Sequence, residues 1–181
     1  QLSGCSWEGY VTKGNGEMYG AEFFAEKTTG RLNFWISYTL SWSNRKFTEL
    51  NKGNSFPYKY DRRHQLKIYA NYPLFELFKN GKHVSHSLSS SFVFLTGSFM
   101  TFATQEYSGI DLPYNNSNYY WFESRKYINE INNLQLPNFH HLDLSYNIKI
   151  QKGEKSNNWN FSIYNVYNHL NVYYYYKLDG E

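Results

Sequence analysis

Residues Leu32 to Ser43 alternate with period two, and this one run constrains the fold more than any other part of the chain. The even positions Leu32, Phe34, Ile36, Tyr38, Leu40 and Trp42 are all apolar, whereas of Asn33, Trp35, Ser37, Thr39, Ser41 and Ser43 only Trp35 is not polar. Successive side chains of a strand point to opposite faces, so the run is a strand with one apolar and one polar face. Its length matters as much as its period. Ordinary strands centre on about 5–6 residues, while a strand that crosses a bilayer needs about 9–11.

The pattern returns. His141 to Gln151 sets Leu142, Leu144, Tyr146, Ile148 and Ile150 against His141, Asp143, Ser145, Asn147, Lys149 and Gln151. Gln65 to Tyr72 and Val84 to Thr96 alternate too, the second less cleanly, with Ser85, Ser87, Ser89 and Ser91 on one face. Tyr19 to Lys27 and Trp159 to Asn168 read as further strands, and a seventh is expected to begin near Val172. Composition agrees. The chain of 181 residues has 21 Asn, 18 Ser and only 4 Ala, which disfavours helical bundles and favours strands joined by turns. Mean hydropathy is −0.70 and the longest apolar run is Val172 to Tyr176, far short of the roughly 20 residues of a membrane helix. Neither fact bears on a membrane β-barrel, whose strands average out to polar.

The connections alternate in length. Thr28 to Arg31 and Lys152 to Asn158 are short, Pro73 to His83 is intermediate, and Asn44 to Pro57 and Gly97 to Pro137 are long. Short turns on one side and long loops on the other are the layout of an outer-membrane barrel. Aromatics stand near both strand ends: Trp42, Tyr58 and Tyr60 at one, Tyr72, Phe75, Phe78 and Trp159 at the other, with Tyr173 to Tyr176 returning to the first. Such girdles mark bilayer interfaces, although aromatics also favour strands in general. The expected fold is therefore all-β: a partial transmembrane antiparallel β-barrel of about six to seven long strands. Leu32, Phe34, Ile36, Leu40, Leu142, Leu144, Ile148 and Ile150 are expected to face lipid, and Ser37, Thr39, Ser41, His141, Asp143 and Asn147 the lumen.

Charge and cysteine exclude several classes. The net charge of +3 gives no basic stripe, so nucleic acid is not an expected partner. A single cysteine, Cys5, allows neither an internal disulfide nor a multi-cysteine zinc site. No Gly-x-Ser-x-Gly, phosphate loop or His-Glu-x-x-His occurs. His141 and Asp143 share a strand face but need further ligands to hold zinc, so they read as lumen lining and no metal is expected. Glu22 and Glu26 would lie about 13 Å apart along a strand, too far for a glycosidase pair. Neither catalysis nor a cofactor is expected.

Six segments in order resemble one family. Gly14-Asn15-Gly16-Glu17-Met18-Tyr19-Gly20-Ala21-Glu22 resembles the glycine-rich start of a late barrel strand in TonB-dependent outer-membrane receptors, and Tyr38-Thr39-Leu40-Ser41-Trp42-Ser43 the strand after it. Phe56 to His64, ending Asp61-Arg62-Arg63-His64, is similar to the start of the next strand. Thr96-Gly97 resembles the family's Thr-Gly step, with Phe99 where proline is usual. Leu136-Pro137-Asn138-Phe139-His140-His141-Leu142-Asp143-Leu144 resembles its Leu-Pro-acid-aromatic-His-Arg-Leu-Asp signature, with Asn138 for the acid and His141 for Arg. Asn165-Val166-Tyr167-Asn168 is similar to a motif of the penultimate strands. The flavour is that of Bacteroidetes-type receptors with a carboxypeptidase-regulatory-like N-terminal domain.

The resemblance implies that residues 1–181 are a C-terminal segment of a barrel of about 22 strands, truncated at both ends, in the outer membrane of a Gram-negative bacterium. The partners it implies are outer-membrane lipid, a large scarce nutrient, and the TonB complex, reached through the family's plug region. The loop aromatics Tyr119, Tyr120 and Trp121 beside Arg125 are candidate ligand contacts, or alternatively pack the loop onto its neighbours. A competing expectation is a soluble or secreted β-sandwich that binds ligands as a lectin does, with the Leu32–Trp42 face as its dry core. A passive porin is a third.

Overall fold

The computed structural model describes residues 11–108 and 124–176. Its strands are β1 (Gly14–Lys27), β2 (Asn33–Phe47), β3 (Phe56–Pro57), β4 (His64–Lys79), β5 (Lys82–Leu95), β6 (Phe99–Met100), β7 (Gln105–Ser108), β8 (Ser124–Tyr127), β9 (Leu134–Gln135), β10 (Phe139–Lys152) and β11 (Lys155–Ile163). The protein is all-β. Six long strands form one open antiparallel sheet in the order β1-β2-β4-β5-β10-β11, with β3 paired to β2. Two compact units divide the chain. One comprises Tyr19–Trp42, Arg62–Ser98 and Leu136–Glu181, and the other Gln1–Met18, Ser43–Asp61 and Phe99–Gln135.

Register carries the alternation of each strand into its neighbours. Ile36 pairs Ile68, Ile68 pairs Phe92, and Phe92 pairs Leu142. Phe34 pairs Ala70, Ala70 pairs Ser90, Ser90 pairs Leu144, and Leu144 pairs Ile163. Directly paired residues share a face, so one apolar face runs unbroken from β2 to β11 and one polar face lies behind it.

Pro73 tests this arrangement. The sequence Tyr72-Pro73-Leu74-Phe75-Glu76-Leu77 breaks the period, which is why Pro73 to His83 reads as an intermediate connection. In the structure the strand continues, and a bulge between Pro73 and Phe75 absorbs Leu74 as the extra residue. Proline lacks the N–H that a ladder needs and is tolerated at such a bulge. The shift returns Phe75 and Leu77 to the apolar face, opposite His86 and Val84. The connection then shrinks to Asn80 and Gly81, both left-handed at φ 53° and 68°. Two residues with positive φ make the type I′ turn whose twist matches antiparallel strands, and Asn-Gly is its preferred sequence. Every connection at this end is therefore short, while those between β2 and β4 and between β5 and β10 are long.

Two further expectations are corrected. The last strand begins at Lys155, earlier than Trp159, and stops at Ile163. Asn165 and Asn168 have φ of 53° and 52°, so the Asn165–Asn168 motif is a turn. Val172 to Tyr176 form no strand: a run of aromatics has strand propensity, but propensity alone does not make the pairing a strand needs.

Burial is inverted. No apolar residue of the six long strands is buried, and the two buried residues they hold are Ser89 and His141, on the polar face. Leu77 is 53% exposed, Trp159 59% and Ile163 64%, all on the apolar face. The buried apolar residues among those described, Phe56 and Leu136, belong to β3 and to the loop after β9. Deleting Leu74 should remove the bulge and leave Phe75 and Leu77 opposite His86 and Val84 on the apolar face, changing the stability of the folded state by less than about 1 kcal/mol. A loss of more than about 3 kcal/mol in a urea titration in detergent would show that Leu74 is not the residue the bulge absorbs.

Candidate functional site

The polar face is the first candidate, and its side chains are already joined to one another. Asn71 Nδ2 donates to Ser89 Oγ at 2.8 Å, and Asn147 Nδ2 donates to the same oxygen at 3.1 Å. Asn160 Nδ2 donates to Asn147 Oδ1 at 2.5 Å, Ser162 Oγ to Asn160 Oδ1 at 2.5 Å, and the Ser145 and Ser162 hydroxyls share a bond of 2.9 Å. The line crosses β4, β5, β10 and β11 and is made of neutral amides and hydroxyls. Each can both donate and accept, so the chain satisfies itself without charge. Of its members Asn147 was a sequence candidate. Asn71, Ser89, Asn160 and Ser162 were not, and their signal lay in the polar parity of their strands. Trp35, the exception in β2, stands on this same face, its ring centroid 6.4 Å from Phe24 and 6.1 Å from Tyr69. These rings stack across three strands, and Phe24 at the edge stays exposed.

Ser37, Thr39, Ser41, His141, Asp143 and Asn147 all lie on the polar face by strand parity. Phe34, Ile36, Leu40, Leu142, Leu144, Ile148 and Ile150 lie on the other, and Leu32 precedes β2 by one residue. Ser37 pairs Lys67, Lys67 pairs Val93, and Val93 pairs His141, so Ser37 and His141 occupy one row. Tyr119, Tyr120 and Trp121 lie outside the described residues. Arg125 is in β8, but its side chain is outside what is described.

Four of the six segments singled out in the sequence meet one another in the structure. His64 N–H donates to Thr96 Oγ1 at 3.0 Å, and Thr96 N–H returns to His64 O at 2.9 Å. A Cβ on Gly97 would lie 1.6 Å from Leu136 O, so only glycine lets these two backbones approach. Gly97 N–H also donates to Asn138 Oδ1 at 3.3 Å. Asp143 Oδ1 accepts from Asn165 N–H at 2.9 Å and faces His141 Nδ1 at 3.0 Å. The His141–Asp143 pair thus holds the turn after β11. Among the described residues no group of three His, Cys, Asp or Glu side chains could hold a metal ion.

Asparagine does much of the stapling. Asn171 Oδ1 accepts from His140 N–H at 2.9 Å while its Nδ2 donates to His140 O at 3.1 Å. An amide side chain used this way replaces one residue of a neighbouring strand, and it seals β10 where β11 has already ended. Asn165 makes the same double bond with His169.

In the other unit Asn51 makes this double bond with Ile131, and Asn133 makes it with Phe102. Asn132 Nδ2 donates to Pro57 O at 2.7 Å. The β7–β8 hairpin of that unit leads to residues 109–123. Arg45 lies 4.5 Å above the Tyr58 ring, and Lys59 4.6 Å above Tyr60. A hydrogen bond to Tyr60, aided by attraction to Tyr60 and Tyr58, raises the Lys59 amine above its ordinary value.

No family model matches the sequence, and no curated protein or solved structure matches it.

Replacing Asn171 by Ala should remove both bonds to His140 and release the segment that follows Ile163, at about 0.5–1.5 kcal/mol per bond. Asn171→Asp, which keeps the acceptor and loses the donor, should fall between. Hydrogen exchange at the His140 amide reads this directly, and unchanged protection in Asn171→Ala would show that other contacts hold the segment.

Proposed function

We propose that this chain is a length of wall and outer loop from a TonB-dependent outer-membrane transporter that takes up a large, scarce nutrient. The observation that carries the reading is the division of the sheet: apolar side chains on one face, unburied, and amides and hydroxyls joined to one another on the other. An ordinary soluble sandwich packs its apolar faces against each other. A membrane barrel does the reverse, with an apolar band about 25 Å tall and a polar interior.

The rows of the apolar face support the same reading. Tyr38, Leu66, Phe94 and His140 form one row, and Phe75, His86, Ile148 and Trp159 another. Between them run Ile36-Ile68-Phe92-Leu142 and Phe34-Ala70-Ser90-Leu144-Ile163, with the Tyr72-Leu88-Tyr146-Phe161 row next to the Phe75 row. From His140 to Ile148 is about 27 Å along a strand, or about 21 Å along the membrane normal at a tilt of about 40°. A mostly aliphatic waist between two ring-rich rows fits a hydrocarbon layer between its interfaces. In this reading the tight turns face the periplasm and the long connections face outward. The nutrient meets the loops outside, and energy arrives through TonB acting on the plug that the family carries. The chain's own share is enclosure and ligand contact, without catalysis.

The direct test is fractionation: the expressed chain should sediment with outer membrane and need detergent. A sharp monomer in plain buffer with cooperative unfolding would favour the sandwich. Ile36→Arg should cost about 2–4 kcal/mol in a bilayer, whereas Ser37→Arg, one residue along on the other face, should cost less than about 0.5 kcal/mol. Equal costs in a urea titration from vesicles would contradict the assignment of faces.

A further inference from the structure

The tight-turn end of the six-stranded sheet collects cations. Lys79 and Lys82 flank the Asn80–Gly81 turn and pair directly across it, and Lys152 and Lys155 pair in the same way across Gly153–Glu154. The β10–β5 ladder ends with Gln151 opposite His83, which sets Lys152 beside Lys82 one step further on. Four exposed lysines therefore stand in one row across β4, β5, β10 and β11. Between the two turns, Lys79, Lys82, His83, Gln151 and Gly153 help to line a cleft of about 520 Å³. At the adjacent β1–β2 turn stand Lys27 and Arg31, the latter 5.9 Å from the Tyr72 ring. Six of the chain's 18 Lys and Arg thus flank three tight turns. The carboxylates nearby are Glu26, Glu154 and Glu76, and Glu76 is bonded to His83 at 3.0 Å.

Like charges directly opposite one another weaken a hairpin, and here two hairpins repeat the pairing side by side. An anion between them reverses the sign of that interaction. Parity decides which anion. Lys79 follows Leu77, Lys82 precedes Val84, Lys152 follows Ile150, and Lys155 precedes Asn157, so the row continues the apolar face beyond its ring-rich rows. On the membrane reading, on which this inference rests, that position is the headgroup level. Lysine stems can lie along apolar surface while their ammonium groups reach the interface. We propose that the Lys79-Lys82-Lys152-Lys155 row binds the phosphate groups of anionic phospholipid in the leaflet that meets the tight turns.

The test uses the whole chain folded into mixed phosphatidylcholine and phosphatidylglycerol vesicles, with spin-labelled forms of each lipid reporting the boundary shell. Phosphatidylglycerol should be enriched about fivefold over phosphatidylcholine at low salt, the size that one cation near a charged surface supplies. The preference should fade at high salt. Replacing all four lysines by Gln should bring the ratio to one, and replacing them by Arg should keep it. Should the fourfold Gln variant not insert, K79Q/K82Q alone must at least halve the enrichment. A chain that inserts but shows no preference, or variants that keep it without their lysines, would overturn the lysine row and leave the membrane reading intact. Loss of the enrichment to inorganic phosphate would make this a small-anion site and overturn the lipid assignment. Failure to enter the vesicles would remove the membrane reading itself.

Discussion

A slip of one residue in the pairing of any long strand would carry its whole apolar set onto the polar face. The sheet depends on preventing that slip. Its pairings put Ile36, Ile68, Phe92 and Leu142 in one row and Ser37, Lys67, Val93 and His141 in the next, on opposite faces. Register is firmly specified only where the two faces differ chemically. Here they differ along the length of five strands, and the Leu74 bulge restores the difference where Pro73 would otherwise end it.

The ends of the sheet follow from different chemistry. At one end Asn80 and Gly81 reverse the chain within two residues, which leaves no loop to decorate. At the other, long connections expose many backbone groups, and asparagine amides answer them one by one. Asn171 replaces a missing strand residue beside His140, and Asn51 and Asn133 do the same for Ile131 and Phe102. The 21 asparagines are thus more than turn formers. Several supply the hydrogen bonds that strands would otherwise have made, within the loops for Asn51 and Asn133 and at the end of β10 for Asn171.

What could be read from sequence was whatever repeats with a period. The Leu32–Ser43 and His141–Gln151 runs placed β2 and β10 to within a few residues and assigned their faces by parity. Val84 to Thr96 was noisier because Ser90 lies on the apolar face. Tyr72 looked like a strand end because a bulge appears in sequence as a broken period. Val172 to Tyr176 looked like a strand start because propensity is local and pairing is not. The amide line through Asn71, Ser89, Asn147 and Asn160 was invisible, since it depends on which polar residues of four strands fall into neighbouring rows. The proximity of Thr96 to His64, and of Gly97 to Leu136, is equally a product of topology. Tyr119, Tyr120 and Trp121, where ligand contact was expected, fall outside the described residues.

The central claim is that this sheet is built inside out, and one scan along β10 tests it most directly. Nitroxide labels placed singly from Phe139 to Lys152, with the chain in a bilayer, can be read for collision with oxygen in the lipid and with a nickel complex in water. Oxygen access should peak at Leu142, Leu144, Tyr146 and Ile148, nickel access should peak at His141, Asp143, Ser145 and Asn147, and the two should oscillate out of phase with period two. A scan in which Leu142, Leu144 and Ile148 are shielded from both reagents, or are reached by nickel as readily as their neighbours, would contradict the account.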